Sequence, residues 1–209
     1  MQSERSKSAG LDARLDARLD GWRGGWLSNA RHLNSPNADD RPAGTRINLL
    51  VIHYISLPAE KFSGDTVQRL FLNQLNEQDD PSVAALTTLR VSAHFFIRRR
   101  GEVIQFVPIQ RRAWHAGVSK FLDVERCNDF SIGVELEGSA RLPFTSAQYR
   151  ALHQLTSQLQ TVLPLQYCAG HSDIAPGRKV DPGPQFDWKN FLNLIKLPRP
   201  QVEGQRFSK

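Results

Sequence analysis

Residues 47–55 read INLLVIHYI. Seven of the nine are apolar or aromatic, and four are β-branched isoleucine or valine. A run of this kind fits a central strand buried on both faces, the usual place of a strand in a parallel or mixed sheet. His53 sits near its C-terminal end. Burying an ionisable ring among Leu, Val and Ile is costly unless its nitrogens are satisfied. A core histidine bonded to a carbonyl would meet that need as well as a functional one would.

Working outward, further strands and helices alternate. Residues 93–97 (AHFFI), the turn Arg98–Gly101 and residues 103–107 (VIQFV) read as a β-hairpin. Arg98-Arg99-Arg100 is the densest basic cluster and reads as a solvated turn. Residues 130–136 (FSIGVEL) are another strand, and 166–169 a short one leading to Gly170-His171. Residues 65–75 carry Val67, Leu70, Phe71 and Leu75 at helical spacing. Residues 76–88 read as a polar loop. Residues 145–163 are the clearest helix: Thr145 and Gln148 form a capping-box pattern, and Leu152, Leu155, Leu159 and Val162 share one face. Pro164 ends it. A last helix over 187–195 turns Trp188, Phe191, Leu192 and Ile195 inward, and Pro198 stops it. The expected class is α/β or α+β: one domain with a mixed sheet flanked by helices. Its length, 209 residues, suits one domain with appendages.

Residues 19–197 are the expected domain, with Trp22 and Trp26 pinning its first segment to the surface. Residues 1–18, which contain LDAR twice, are expected to be a mobile leader, and residues 198–209 a tail. The leader has no apolar run of signal-peptide length. No stretch approaches 18 uninterrupted apolar residues, so no membrane span is expected. The chain has 27 Lys+Arg against 21 Asp+Glu. The excess is +2 in each of residues 1–46, 47–196 and 197–209, so no segment is an electropositive block. Even spreading disfavours nucleic-acid binding. Cys127 and Cys168 make no CxxC and no framework, which fits a reducing compartment.

Six histidines are present. His32 in the polar leader segment and His153 in the long helix read as structural. His94 and His115 could line a cleft. His171 opens GHSDIAPGRKVDPGP, residues 170–184, which places His171, Asp173, Lys179 and Asp181 in a loop stiffened by Pro176, Pro182 and Pro184. Charged groups on a rigid loop at a strand end suggest a site. Two histidines and a carboxylate with a fourth position open would make a catalytic zinc site, and such an ion lowers the pKa of water from about 15.7 to about 7. Spacing alone does not bring His53 to His171, and there is no HExxH. On residues alone, Glu135 reads as an outward-facing strand carboxylate, because Glu137 shares its face.

Five blocks occur in one order: VIHYIS at 51–56, RVSAHFFIRRRGEVIQFVP at 90–108, RAWHAGVS at 112–119, ERCNDFSIGVELEG at 125–138 and GHSDIAPGRKVDPGPQFDW at 170–188. Together they resemble the AmpD-type 1,6-anhydro-N-acetylmuramoyl-L-alanine amidases, cytoplasmic members of the type 2 amidase and peptidoglycan-recognition superfamily. The resemblance covers most of residues 22–196. It implies one zinc ion held by His53, His171 and Asp181, and hydrolysis of the amide between the lactyl group of muramic acid and L-alanine. It implies Glu135 as general acid/base and Lys179 as the cation beside the developing oxyanion. Arg90 and Arg126 match positions that hold stem-peptide carboxylates, a task suited to the planar guanidinium. Trp114 and His115 match the loop along the ligand cleft. Tyr54 stands where the family pattern leads one to expect Asn, which alters a polar contact to substrate but not the metal set. The implied partner is a small muropeptide, with neither nucleic acid nor membrane. Two alternatives stay open: an envelope amidase acting on intact cell wall, and a non-catalytic peptidoglycan-binding module, which typically lacks the full ligand triad.

Overall fold

The computed structural model describes residues 21–76, 78 and 80–200. The expected leader, residues 1–18, lies outside them.

The run 47–55 forms strand β2, Leu49–Ile55, after a two-residue strand β1, Arg31–His32. Helix α1, Thr66–Phe71, follows, then the hairpin β3, Phe95–Ile97, and β4, Val103–Gln105. Strand β5, Ser131–Glu137, precedes the long helix α2, Ser146–Val162. Strand β6, Tyr167–Gly170, runs straight into a one-turn helix α3, His171–Ile174. Helix α4, Trp188–Ile195, comes last. The six strands make one mixed sheet in the order β6-β2-β5-β3-β4-β1. β2 lies parallel to both β6 and β5, and β5 is parallel to β3. Only the hairpin β3–β4 is antiparallel.

Period-two alternation divides the sheet's work between its faces. Leu50 and Ile52 of β2 and Ile132, Val134 and Leu136 of β5 share a core with Leu152, Leu155, Leu159 and Val162 of α2 and Phe191 and Ile195 of α4. The capping box is present: Thr145 Oγ1 accepts from Gln148 N, and Thr145 N–H donates to Gln148 Oε1. The opposite face carries Leu49, Val51 and His53 of β2 with Ser131, Gly133 and Glu135 of β5. Ala116, Phe121 and Ile174 pack beside it.

Four expectations need correction. Helix α1 stops at Phe71, four residues early, because Asn73 adopts a left-handed backbone (φ 58°). The loop 76–88 contains a 3-10 helix, Pro81–Leu86, whose first turn is capped by the Asp80 carboxylate accepting from Ser82 N–H. The arginine turn is solvated only at Arg100. Arg98 pairs with the buried Glu137 at 3.5 Å, and Arg99 donates to Pro143 O and Gln148 Oε1 while lying over the Phe62 ring. Glu135 is not outward-facing: every residue of β5 is buried, because a central strand has both faces covered.

Both ends of the described chain are built into the fold. Trp22 is a core residue, edge-on to Phe95, and Trp26 tilts against His32. After Pro198, where a tail was expected, Cys168 N–H donates to Pro198 O. Arg199 grips the buried Asp173 with two 2.7 Å bonds and stacks on Trp188. The two cysteines are free and buried. Burial pushes the Cys127 thiol up to about 11. No helix among the described residues is long and apolar enough to cross a membrane.

Candidate metal centre and active site

The parallel register assembles the site. β2 and β5 pair with His53 opposite Glu135, so the two side chains leave the sheet on the same side, one strand apart. β6 pairs on the other edge of β2 and ends with Gly170 opposite Ile52. The next residue, His171, therefore starts beside His53 although 118 positions separate them. No Cβ fits at Gly170, because it would lie 2.6 Å from Pro182 Cδ; the bare backbone lets the loop carrying Asp181 close over the strand end. Ser172 N–H donates to Asp181 O and ties that loop down.

His53 Nδ1, His171 Nδ1 and Asp181 Oδ2 lie 3.0 Å from one another. Among the described residues they are the one group of His, Cys, Asp and Glu that could hold a metal ion, and all three are buried. The outer nitrogens are committed elsewhere. His171 Nε2 lies 3.1 Å from Ala116 O, which can only accept, so that nitrogen donates, and in the neutral ring Nδ1 is the lone pair turned inward. His53 Nε2 lies 3.0 Å from His115 Nδ1. The donor set fits a cation: two imidazole nitrogens and one carboxylate oxygen converge on one point, as in open catalytic zinc sites.

The electrostatics agree. Burial pushes His53 down to about 4, against the pull of Asp181. Burial works to raise Asp181, but the imidazoles of His171 and His53 outweigh it and hold the carboxyl well below its usual range. Glu135 is held well above its usual range, by burial first and then by the negative charge of Asp181, with Lys179 opposing. Its Oε2 is buried without a hydrogen-bond partner. A carboxyl oxygen left bare at the edge of a metal-type triad is placed to exchange a proton with whatever occupies the space in front of it. Lys179 is exposed on the loop between the two ligands, and its charge reaches both His53 and Glu135. Tyr54 is half-buried at the rim. Burial and the charges of Asp181 and Glu135 raise its phenol above the ordinary value.

The remaining expected site residues divide. Arg126, in a left-handed conformation (φ 62°), pairs with Asp129 at 3.1 Å and lines an open cavity of about 620 Å³ with Gly117, Val118, Lys120 and Arg178. Arg178 donates to Ala116 O, the carbonyl that also holds the outer nitrogen of His171, while no triad residue lines the cavity. Arg90 is not drawn to the triad; its guanidinium donates to Thr87 O and Leu89 O of its own turn. Trp114 is half-buried, with its indole N–H on Asp39. His115 meets the outer nitrogen of His53. It is buried between His53 and Ser131, and burial with the neighbouring histidines holds it neutral. His94 is structural: its Nδ1 accepts from Gly133 N–H and its Nε2–H donates to Arg111 O. His32 and His153 lie away from the triad, His32 on Leu27 O.

Asn128, Ser131 and Arg178 carry roles that the residue pattern does not announce. Asn128 Oδ1 accepts from both His115 N–H and Ala116 N–H. Ser131 Oγ meets His115 Nε2 at 3.2 Å. The only signal was their presence inside the CNDFS and GRKVD stretches.

Comparison with known proteins agrees with this geometry. Residues 43–184 match the family model of N-acetylmuramoyl-L-alanine amidase. The chain is 50% identical over 171 residues to the 1,6-anhydro-N-acetylmuramyl-L-alanine amidase AmpD of Escherichia coli (strain K12), covering 81% of this chain and 93% of that protein. It superposes on a crystal structure of a selenomethionine AmpD derivative with a TM-score of 0.79 and 48% identity, covering 85% of this chain and 98% of that one. It also resembles the E. coli amidase AmiD in complex with anhydro-N-acetylmuramic acid-L-Ala-D-γ-Glu-L-Lys, with a TM-score of 0.53 and 33% identity over 75% of this chain and 60% of that one. A mixed sheet of this order, a His-His-carboxylate centre at its strand ends and a family match over most of the domain lead to one conclusion: the chain belongs to the N-acetylmuramoyl-L-alanine amidase family.

Proposed function

We propose that this amidase is a zinc enzyme that cuts the lactyl–L-alanine amide of 1,6-anhydro-N-acetylmuramoyl peptides, in the cytoplasm, during cell-wall recycling. The observation that carries the reading is the convergence of His53 Nδ1, His171 Nδ1 and Asp181 Oδ2 at 3.0 Å. The substrate class comes from the names of the relatives matched across most of their length.

Zinc, when bound, polarises a carbonyl and acidifies water. The chain's own residues do the rest. Glu135, with one oxygen bare and its affinity for a proton raised, takes a proton from the attacking water and returns it to the leaving nitrogen. Lys179 offers positive charge to the carbonyl oxygen as it becomes an oxyanion. Arg126, beside its open cavity, binds a stem carboxylate, and Arg90 binds another after releasing its two carbonyl contacts. Tyr54 and Trp114 border the ligand. Such remote contacts hold the amide in place and so act on turnover as well as affinity.

The test joins zinc content to a mass-spectrometric amidase assay. One zinc per chain is expected, with chelator abolishing activity and zinc restoring it. His171→Ala loses both metal and turnover. Full zinc and full rate in that variant would refute the ligand set. Preference for intact sacculi over anhydro-muropeptides would replace the recycling role with the envelope one.

A further inference from the structure

We infer that Trp114–Ala116 is a bracket that fixes the tautomers of both histidine ligands, with His115 acting as a positioning residue for His53. This deepens the zinc reading above and rests on it.

Ser131 sets the direction of the relay. Its hydroxyl donates to Cys127 O at 2.6 Å, which uses its only proton. The Ser131 oxygen can then only accept from His115 Nε2, 3.2 Å away. A neutral imidazole with its proton on Nε2 has a bare Nδ1, and His115 Nδ1 lies 3.0 Å from His53 Nε2. His53 must therefore carry its proton on Nε2 and turn a bare Nδ1 toward Asp181 and His171. The chain of donors runs one way, His53 to His115 to Ser131 to the Cys127 carbonyl, and ends on a group that cannot reverse it. Were His115 to hold its proton on Nδ1, His53 would have to accept at Nε2 and protonate the nitrogen that binds the ion.

The next residue performs the same task for the second ligand. Ala116 O, 3.1 Å from His171 Nε2, leaves His171 Nδ1 bare. Two consecutive residues thus orient both rings, one through a side chain and one through a carbonyl. The bracket is itself held. Asn128 Oδ1 accepts from His115 N–H at 3.1 Å and Ala116 N–H at 2.8 Å. Trp114 N–H donates to Ser92 Oγ, and Arg178 donates to Ala116 O. Gly133 makes the space: a Cβ there would stand 2.4 Å from His115 Cγ, so any side chain displaces the ring. Outer partners of metal-binding histidines govern affinity by about 10–100-fold. A neutral ring in this position holds the ligand without adding negative charge, which keeps the ion a stronger Lewis acid than a carboxylate partner would.

The experiment measures zinc dissociation constants by chelator competition, with histidine ¹⁵N NMR on the same samples. His115→Leu should weaken zinc about 10–100-fold, and His115→Gln, whose amide oxygen can accept from His53 Nε2–H, should recover most of it. Ser131→Ala removes a single oxygen and should also weaken zinc, with His115 no longer confined to the Nε2–H form. In the parent, His115 should be neutral with its proton on Nε2. Unchanged zinc affinity in both His115→Leu and Ser131→Ala, or a His115 proton found on Nδ1, overturns the inference. If the parent binds no zinc, the zinc reading fails by itself; the His115 tautomer in the metal-free protein then decides the relay.

Discussion

Arg199→Met tests whether the residues after the last helix belong to the structure that supports the metal ligands. Asp173 sits on the single turn that begins with His171, and its side chain is 2% exposed. It accepts three bonds of 2.7 Å: one from Gly170 N–H and two from Arg199. The Arg199 guanidinium also lies 4.0 Å from the Trp188 ring centroid. Methionine keeps most of the stem and removes the charge, leaving a carboxylate in a dry site with one donor. Removing one partner of a buried pair costs about 3–5 kcal/mol. For a domain of this size 1 kcal/mol moves Tm by about 2–4 °C, so the expected fall is about 6–20 °C. Thermal unfolding of the metal-free protein measures it, which separates the clamp from stabilisation by bound ion. Asp173→Asn should destabilise too, and the double variant should cost clearly less than the sum of the single ones. A loss under about 1 kcal/mol for Arg199→Met, or strict additivity, would show that the clamp is a surface pair of no consequence.

Glu135→Gln should keep zinc and lose about 10²–10⁴-fold in turnover, read by metal content beside the amidase assay. The same variant should be the more stable one when metal-free at pH 7–8. Burial raises the Glu135 pKa on folding, so the parent loses stability as pH rises from its unfolded value of 4.5 toward the folded one, whereas glutamine does not; melting at pH 4 and pH 8 shows whether the gap opens in that direction. Arg126→Ala should lower kcat/KM for tripeptide-bearing substrate more than for substrate carrying L-alanine alone, at unchanged zinc content; equal losses would remove Arg126 from stem recognition. A chain starting at Leu19 should match the parent in rate and Tm, and a clear drop in either would assign residues 1–18 a part in the fold or cleft.

Much of this architecture could be read from residue pattern. The buried run at 47–55, the hairpin, the Thr145–Gln148 capping box and the apolar face of α2 all follow from local periodicity and end chemistry. What local pattern could not give was sheet order. The position of β5 between β2 and β3 turned Glu135 from an apparent surface carboxylate into a buried one beside His53. The triad is legible through motif resemblance rather than spacing, because its proximity depends on β2 pairing with β6. The place of His115 behind His53 is hidden from the sequence for the same reason: it depends on the slot at Gly133, which is a packing relation between distant segments. The short end of α1 and the Asp80 cap were local, but they rested on one left-handed Asn and one side-chain bond rather than on a repeating pattern.

The sheet order also bears on how the chain comes together during synthesis. β2 is made early, yet its two neighbours, β5 and β6, begin 82 and 118 residues after its first residue. Until Ser131–Glu137 and Tyr167–Gly170 leave the ribosome, LLVIHYI is an apolar strand with both edges open, which is a template for pairing with another chain. The hairpin β3–β4 can close locally, but it does not pair with β2 and leaves both of its edges open. Productive folding therefore waits on long-range parallel pairing, which is slow because loop closure precedes its reward. A chain interrupted before Tyr167 would keep one edge of β2 bare for good. Such fragments should be recovered as aggregates, while chains that reach Arg199 fold.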